Sequence, residues 1–469
     1  MKLKSIFTNS FGILFSRVTG LGRDVVMASA LGASIYTDIF FVAFKLPNLF
    51  RRIFAEGAFT QAFMPSFVAS RQKGVFATAI FLRFMLILIG FSLLVTFFPE
   101  LLTKSIAWDW SDEQIAQTAP LTAINFWYLD LVFIVTFLAT LLQYREHFAT
   151  TAMSTALLNI SMISALLLYM KEEPQTIVIA LSIAVLIGGL LQVIAHVIAI
   201  KKLNMHKILI GGWKYRKKKD VKAEEKKFNK LFFPSMWGNS MPQISAFLDT
   251  ILASFLLTGS ISYLYFANRV FQLPLAIIAI ATSVALFPMI SKAIHRGDTK
   301  EAYSNLGKAF WLLFSLLGIA TLMGIILAEP IVWLLLERGA FTVENTIQTA
   351  GVLSMYMLGL LPHGLTKLFA MFLYANHQHT KAAKIATIAL VLNVIVSIIL
   401  MNLMGVTGLA LAGSVGGIVL FTLTVREVGT EHFFEIVNSK KLIYVILGLI
   451  VSAFILIEIN NLFMGWIRG

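Results

Sequence analysis

Residues 37–67 read TDIFFVAFKLPNLFRRIFAEGAFTQAFMPSF, an apolar run that is long enough to cross a bilayer and yet contains five charged side chains. Placing one charge at the centre of a bilayer costs about 2.5–3.5 kcal/mol on insertion scales. Charged residues therefore persist in membrane helices where they face a water-filled cavity and have a task there. The run predicts a membrane-spanning helix that lines such a cavity.

The composition of the chain excludes an ordinary soluble enzyme. Of its 469 residues, 58% are hydrophobic and 13% are charged, and the mean hydropathy is +0.82. These values indicate a polytopic membrane protein. Cysteine is absent, which excludes disulfide bonds and cysteine-ligated metals. Most of the Lys and Arg behind the net charge of +14 lie between apolar runs, so we predict membrane lipids rather than nucleic acid as partners.

Apolar runs of about 20 residues predict thirteen transmembrane helices. Their predicted bounds are 5–31, 35–66, 75–98, 119–143, 149–170, 176–200, 229–257, 261–290, 309–328, 346–374, 382–403, 406–425 and 441–461. A further amphipathic segment at 330–338 is expected to lie at the membrane surface.

The distribution of Lys and Arg predicts the orientation. With a cytoplasmic N-terminus, most basic loop residues fall on the cytoplasmic side, as the positive-inside rule requires. The segment 201–228 is interpreted as a basic cytoplasmic linker, with a surface for anionic lipid headgroups as the alternative. We predict an all-α polytopic membrane protein with an N-lobe at 1–200, a C-lobe at 229–428 and an extra C-terminal helix within 429–469.

Two stretches of the chain look like copies of each other. One begins at Asp24 and reads DVVMASALGASIYTDIFFVAFKLPNLF, and the other begins at Asp249 and reads DTILASFLLTGSISYLYFANRVFQLPL. In both, an aspartate, a small-residue pair, a glycine turn, an aromatic run and Leu-Pro follow in the same order. Because six helices separate the copies, both lobes would start on the same side, which predicts a parallel repeat with a cavity between two six-helix lobes.

The charges of the second predicted helix share one face. Asp38, Lys45, Arg52 and Glu56 are spaced by seven, seven and four residues, which is helical spacing. Pro47 predicts a kink between them. Arg52 and Glu56 can pair one helical turn apart, whereas Arg51 lacks an obvious local counter-charge in the sequence.

Basic residues exceed acidic ones in the first two helices. The basic members are Arg17, Arg23, Lys45, Arg51 and Arg52, and the acidic members are Asp24, Asp38 and Glu56. Arg269 in the eighth helix and Lys367 in the tenth add to this excess of two. Uncompensated cations at low dielectric need an anion, and guanidinium groups suit phosphate, so an anion-binding cavity is predicted. The alternative is that buried ion pairs tie the helices together while some arginines extend to the interface.

Other chemistry is sparse. Asp249, Asn393 and Ser397 are candidate oxygen ligands for a cation, and hydrogen bonding between packed helices is the alternative. Asp130 is either a helix-packing partner or a proton site. Because the sequence contains no phosphate-binding glycine loop, we predict neither ATP-driven pumping nor catalytic residues.

Several of these stretches resemble the MurJ/MviN family of lipid II flippases. The resemblance is carried by FSRVTGLGRD at 15–24, by the quoted run at 37–67, by ALLNISMI at 156–163 and by QISAFLDTILASFL with SYLYFANRVFQLP within 243–274. It implies the multidrug/oligosaccharidyl-lipid/polysaccharide exporter fold, in which two six-helix lobes alternate between inward-open and outward-open states. It also implies functional roles for a set of arginines and one aspartate, which correspond here to Arg17, Arg23, Arg51, Arg52, Arg269 and Asp38.

The resemblance implies a substrate and a location. The expected partner is lipid II, an undecaprenyl-diphosphate-linked disaccharide-pentapeptide that is moved across the bacterial inner membrane. We expect a monomer without a cofactor, with coupling to the membrane potential or to a monovalent cation as a possibility. Family members commonly have fourteen helices, the last two of which are thought to hold the lipid tail, whereas thirteen are predicted here. Asn268 also replaces an acidic residue that some relatives have before the eighth-helix arginine.

Three other functions compete with this interpretation. A drug or cation antiporter of the same fold would need acidic cavity residues, whereas this set is basic. A flippase for another anionic polyprenyl-linked glycan would use the same arginines. A membrane enzyme acting on a lipid diphosphate would need a metal-binding acidic pair such as DxxD, and the sequence offers no convincing one facing the cytoplasm.

Overall fold

A computed structural model of the chain describes residues 3–51, 57–376, 378–437 and 439–468. Within these ranges the ordered elements are helices, and the chain divides into two compact units, Met1–Phe255 and Leu256–Gly469. The all-α membrane fold expected from the sequence is confirmed.

Unit 1 contains eleven α-helices among its described residues. They are α1 Leu3–Leu31, α2 Ile35–Phe50, α3 Ala58–Ala69, α4 Lys73–Phe97, α5 Pro99–Lys104, α6 Asp112–Phe126, α7 Tyr128–Tyr144, α8 Ala149–Leu168, α9 Pro174–Lys202, α10 His206–Tyr215 and α11 Lys222–Ala253. The predicted second helix therefore appears as two helices, α2 and α3, on either side of residues 52–56, which lie outside the described ranges.

Unit 2 contains nine α-helices and one π-helical segment in the part of the chain that the structure describes. They are α12 Ser260–Pro274, the π-helical segment Leu275–Ile280, α13 Ala281–His295, α14 Thr299–Ile326, α15 Ala328–Leu336, α16 Val343–Leu358, α17 Leu360–Ala375, α18 His379–Val428, α19 Thr430–Ile436 and α20 Ser439–Arg468. The short helix α15 occupies the position of the predicted surface segment at 330–338.

Local sequence signals explain several helix starts. Ser111 precedes α6, where its hydroxyl accepts a hydrogen bond from the Gln114 backbone N–H at 3.3 Å, and the Gln114 side chain accepts one from the Ser111 N–H at 2.9 Å. This reciprocal arrangement satisfies two backbone donors at a helix start. Asp298 precedes α14 and accepts a hydrogen bond from the Glu301 N–H at 2.9 Å.

Nine helical stretches of the described residues are long and apolar enough to cross a membrane. They are Lys73–Phe97, Asp112–Tyr144, Ala149–Leu168, Pro174–Lys202, Ser260–His295, Thr299–Ile326, Val343–Ala375, Thr380–Val428 and Lys440–Arg468. The stretch Thr380–Val428 covers two predicted helices, and Gly405 lies between them with a φ of 61° that glycine adopts without strain. The total of thirteen transmembrane helices stays a prediction.

An aromatic cluster explains why α11 belongs to unit 1. Phe228 of α11 lies 5.9 Å, between ring centroids, from both Phe59 of α3 and Phe84 of α4. Phe232 lies 5.2 Å from Phe84 in an edge-on contact. Such aromatic pairs contribute about 0.5–1.5 kcal/mol each beyond area burial. The division between the units consequently falls after Phe255, whereas the lobe boundaries predicted at 200 and 229 stay a prediction.

Candidate substrate-binding site

Arg23 lies in a buried polar network of unit 1. Its Nη2 is 2.6 Å from Asp24 Oδ1, its Nε donates to the same oxygen at 3.0 Å, and its Nη1 donates to Asn159 Oδ1 at 3.2 Å. The exposed fractions are 7% for Arg23, 2% for Asp24 and 3% for Asn159. This is the buried ion pair that the sequence analysis gave as the alternative to a substrate contact.

The same network ties α1 to α8. The side-chain amide of Asn159 donates to the Ser16 carbonyl oxygen at 3.1 Å and to the Thr19 hydroxyl at 3.2 Å. The Ser16 hydroxyl in turn donates to the Ala152 carbonyl oxygen at 2.8 Å. Hydrogen bonds between membrane helices are expected where polar side chains are removed from water. Arg23 and Asp24 thus help to hold the two helices in register.

Helix α2 carries a carboxylate and a cation two turns apart. Asp38 is 3% exposed and lies in the first turn of the helix, where the helix dipole favours a negative charge. Lys45 is half-buried, and its ammonium group interacts electrostatically with Asp249 on α11. Asp249, predicted as a cation ligand, is therefore linked to a basic residue of its own unit.

Arg51 follows directly after α2 and is half-buried. Its Nε and Nη2 both donate to Asn48 Oδ1, at 3.2 and 3.0 Å. Because Asn48 is a neutral amide, this contact orients the guanidinium group without cancelling its charge. Arg52 and Glu56, which were predicted to join the same face, lie outside the described residues.

Arg17 lies on α1, six residues before Arg23, and is exposed. The two arginines therefore differ in their surroundings although they share a helix. The structure does not bring Arg17 into the polar contacts that bury Arg23.

Arg269 of unit 2 is also held by a neutral oxygen. Its Nη2 and Nε donate to the Tyr265 hydroxyl at 2.8 and 3.2 Å, and its guanidinium carbon lies 5.0 Å from the Tyr265 ring centroid. A cation at that distance from an aromatic ring is attracted by the ring. Arg269 is half-buried, and α12 ends five residues later at Pro274, where the π-helical segment begins.

Further polar residues of unit 2, some of them predicted site residues, lie on α17 and α18. His363 interacts through Nε2 with the Gly413 carbonyl oxygen at 3.3 Å and packs edge-on against Phe271, whereas Lys367 is exposed. Asn393 and Ser397 of α18 are buried. They belong to a different unit from Asp249, so their joint role as cation ligands stays a prediction.

Sequence reasoning missed the neutral partners of the arginines. Asn48 lies three residues before Arg51, and Tyr265 lies four residues before Arg269. Both spacings place the two side chains on one helix face, so helical periodicity would have found them. The partner of Asp130 was also missed. Its Oδ2 accepts a hydrogen bond from the buried Ser92 hydroxyl of α4 at 2.5 Å.

Known proteins match almost the whole chain. A family model described as lipid II flippase MurJ matches residues 27–469. The probable lipid II flippase MurJ of Helicobacter pylori is 47% identical over 435 residues, which cover 90% of this chain and 94% of that protein. The lipid II flippase MurJ of Burkholderia cenocepacia is 31% identical over 396 residues, which cover 82% of this chain and 75% of that protein.

Solved structures share the fold. A lipid II flippase MurJ in an inward closed conformation superposes with a TM-score of 0.79 at 26% identity, covering 98% of this chain and 99% of that one. An inward-facing multidrug resistance transporter of the MATE family superposes with a TM-score of 0.71 at 12% identity, covering 91% and 98%. The second likeness concerns the fold alone.

Apolar helices with charged side chains, together with these shared folds, define a multi-pass membrane transporter and not an enzyme. The chain belongs to the lipid II flippase MurJ family, as the match over residues 27–469 and the 47% identity to the relative from Helicobacter pylori show. The family resemblance predicted from the sequence is therefore confirmed.

Proposed function

We propose that this protein flips lipid II from the cytoplasmic to the periplasmic leaflet of a bacterial inner membrane, with its N-terminus in the cytoplasm. The observation that carries the proposal is the family match across residues 27–469. Lipid II combines a diphosphate, a disaccharide-pentapeptide and a polyprenyl chain. A carrier for it needs cations for the diphosphate and a path that leaves the chain in lipid.

Arg51 and Arg269 are the residues to which we assign the diphosphate. Each is half-buried, and each is oriented by a neutral oxygen within one helical turn. A guanidinium group oriented in this way can offer paired N–H donors to a phosphate. Arg17, Arg52 and Lys45 would add positive charge, and Asp38 would help to position the cations. We assign Arg23 to the contact between α1 and α8.

Alternating access would follow from binding of the headgroup. An anionic headgroup offsets the positive charge of the arginines, which lowers the electrostatic cost of closing the protein around them. The membrane potential, negative inside, then favours outward movement of an anion by about 2.3 kcal/mol per charge per 100 mV. We propose this potential as the coupling energy.

A leaflet-accessibility assay tests the function. The full chain is reconstituted into vesicles that contain fluorescent lipid II, and a membrane-impermeant quencher reports how much of the lipid remains in each leaflet. We expect transbilayer movement that depends on the protein and increases when a potential of the correct sign is imposed. Vesicles with the Arg269→Ala variant should stay near the protein-free rate.

The matched control is Arg338→Ala, because Arg338 is exposed and lies in the turn between α15 and α16. It removes the same charge from a position outside the assigned site and should leave the rate unchanged. Equal rates for the wild type and protein-free vesicles would disprove the proposal. Movement of another polyprenyl-diphosphate glycan at a higher rate would keep the flippase mechanism and replace the substrate.

A further inference from the structure

The segment after α9 is a docked helix with a basic end. Helix α10 begins at His206, only four residues after α9 ends, and the run Arg216–Lys219 follows it directly. A segment that only retained positive charge on one side of the membrane would not need a fixed helix. The fixed position therefore requires a separate explanation.

Two glycines bring α10 against α4. The carbonyl oxygen of Gly74 in α4 is so close to Gly212 in α10 that a Cβ at position 212 would overlap it. In the same way, a Cβ at Gly74 would overlap the Ile208 carbonyl oxygen. Backbones approach this closely only where one of the two residues has no Cβ. Gly74 lies in the first turn of α4, so α10 is held at the level where a membrane-spanning helix begins.

The opposite face of α10 combines apolar and basic side chains. Ile210 is 63% exposed and Trp213 is 54% exposed, while Gly212 is buried. Lys207 and Lys214 are exposed on the same side as Ile210, at helical spacings of three and four residues. An exposed indole beside lysines is typical of helices that lie in the headgroup region of a bilayer.

The basic run continues this face. The guanidinium carbon of Arg216 lies 3.6 Å from the Trp213 ring centroid, and its Nη1 donates to the Trp213 carbonyl oxygen at 3.2 Å. Lys217, Lys218 and Lys219 are exposed beyond it. The run thus lies beside the exposed indole.

We propose that α10 and the run Arg216–Lys219 form a binding site for anionic phospholipid headgroups of the leaflet that α10 faces. The charge complementarity identifies the occupant, because the site presents positive charge at headgroup depth. Ile210 and Trp213 enter the region below the phosphates, and the basic side chains bind the phosphates themselves. The proposal is independent of the transported substrate.

Quenching of Trp213 fluorescence by brominated lipids tests the site. The full chain is reconstituted in vesicles that contain phosphatidylcholine and phosphatidylglycerol in equal mole fractions, and bromine is placed on one lipid or the other. The Trp213→Phe variant gives the signal of the other tryptophans, which is subtracted. We expect quenching at least about threefold stronger with brominated phosphatidylglycerol, because even one basic residue near an anionic surface adds roughly fivefold to affinity.

A four-lysine variant separates charge from position. This variant should reduce the preference to about equal quenching by the two lipids. It changes four lysines to Gln: Lys214, Lys217, Lys218 and Lys219. The matched control changes four exposed lysines of unit 2 to Gln and should keep the preference. These control lysines are Lys292, Lys300, Lys308 and Lys384.

Position is tested by Gly212→Leu, which keeps every charge and forces α10 away from α4. The preference should fall in this variant if docking places the basic run at headgroup depth. Equal quenching by both lipids in the wild type, or no Trp213-dependent quenching at all, would overturn the proposal. A preference that survives the four-lysine variant would overturn it as well, since charge would then not select the lipid.

Discussion

Three arginines that were predicted to bind the substrate occur in two kinds of surroundings. On α1, Arg23 is buried and contacts the carboxylate of Asp24 and the amide of Asn159. After α2 and on α12, Arg51 and Arg269 are half-buried and contact the oxygens of Asn48 and Tyr265. The first contact compensates the charge within the fold. The other two contacts are to neutral oxygens, and they orient guanidinium groups that can offer paired donors to an anion.

This difference changes the charge count on which the cavity was predicted. The first two helices have five basic and three acidic residues, an excess of two. The electrostatic contact between Asp249 and Lys45 adds one carboxylate from α11, which reduces the excess within this set of residues to one. The anion-binding hypothesis therefore depends on Arg51, Arg52, Arg17 and Arg269 more than on Arg23.

The largest effect on transport is expected at Arg269, and it should exceed the effect of changing Tyr265, which orients that arginine. Arg269→Ala should lower the rate of lipid II movement at least about 30-fold, since losing a charged partner of a bound anion costs about 2–5 kcal/mol. Tyr265→Phe keeps the guanidinium and loses only its orientation, so we expect a loss of roughly tenfold or less. The vesicle assay measures both. Equal losses would show that the tyrosine itself contacts the substrate.

The second prediction breaks the buried pair. Asp24→Ala leaves the Arg23 charge buried without its carboxylate, which should lower the free energy of unfolding by about 3–5 kcal/mol. The double variant Arg23→Met/Asp24→Leu removes both charges and should regain most of that loss. Thermal unfolding in detergent gives the order of the three proteins. Transport by the double variant at the wild-type rate would confirm that Arg23 is structural, and complete loss of transport would return Arg23 to the binding site.

The fold could be predicted from the sequence because its helices are long apolar runs. The predicted break between the eleventh and twelfth helices falls at Gly405, where the backbone leaves helical geometry. Helix α10 could not be predicted in the same way. Its ten residues contain glycines and lysines, and its backbone packs closely against Gly74 of α4. Tertiary contact decides the structure of such short polar segments.

The candidate site could be predicted as a set of residues but not as a set of contacts. Asp24 follows Arg23 directly in the sequence, and adjacent residues of a helix do not ordinarily face each other. Asn159 of α8, 136 residues away, accepts a hydrogen bond from the same guanidinium group. A contact at that separation leaves no periodic signal in a single sequence. Arg51 and Asn48, in contrast, are three residues apart, so their contact could have been predicted from helical spacing.

A smaller effect is expected at Asn159. Asn159→Ala removes an acceptor from Arg23 and two donors to α1, so the free energy of unfolding should fall by about 1–3 kcal/mol. Thr19→Val removes only one of these partners and should cost less. Thermal unfolding of the two variants gives the comparison. An Asn159→Ala protein as stable as the wild type would mean that the Arg23–Asp24 pair needs no support from α8.

The smallest effect on stability is expected at the ion pairs between one arginine and two glutamates at the end of α20. Arg468 at the end of α20 donates to Glu337 at 2.8 Å and to Glu329 at 3.1 Å, and its side chain is 25% exposed. Burial by itself would raise the pKa of Glu337, but hydrogen bonds from Arg468 and Thr346 outweigh it, so that pKa lies below the ordinary glutamate value. Accessible ion pairs contribute about 0–1 kcal/mol.

The lowered pKa of Glu337 determines how the stability of the protein changes with pH. Glu337 contributes stability above its unfolded-state pKa of about 4.3 and loses it as pH falls through the lower folded-state pKa. Glu337→Gln should therefore unfold at a lower temperature than the wild type at pH 7, and the difference should shrink toward pH 3. Glu344→Gln, which removes an exposed carboxylate from α16, is the matched control for the loss of one surface charge. A difference that stays constant with pH would mean that Glu337 acts through packing. Arg468 would then not stabilise the fold through a carboxylate, as Arg23 does through Asp24.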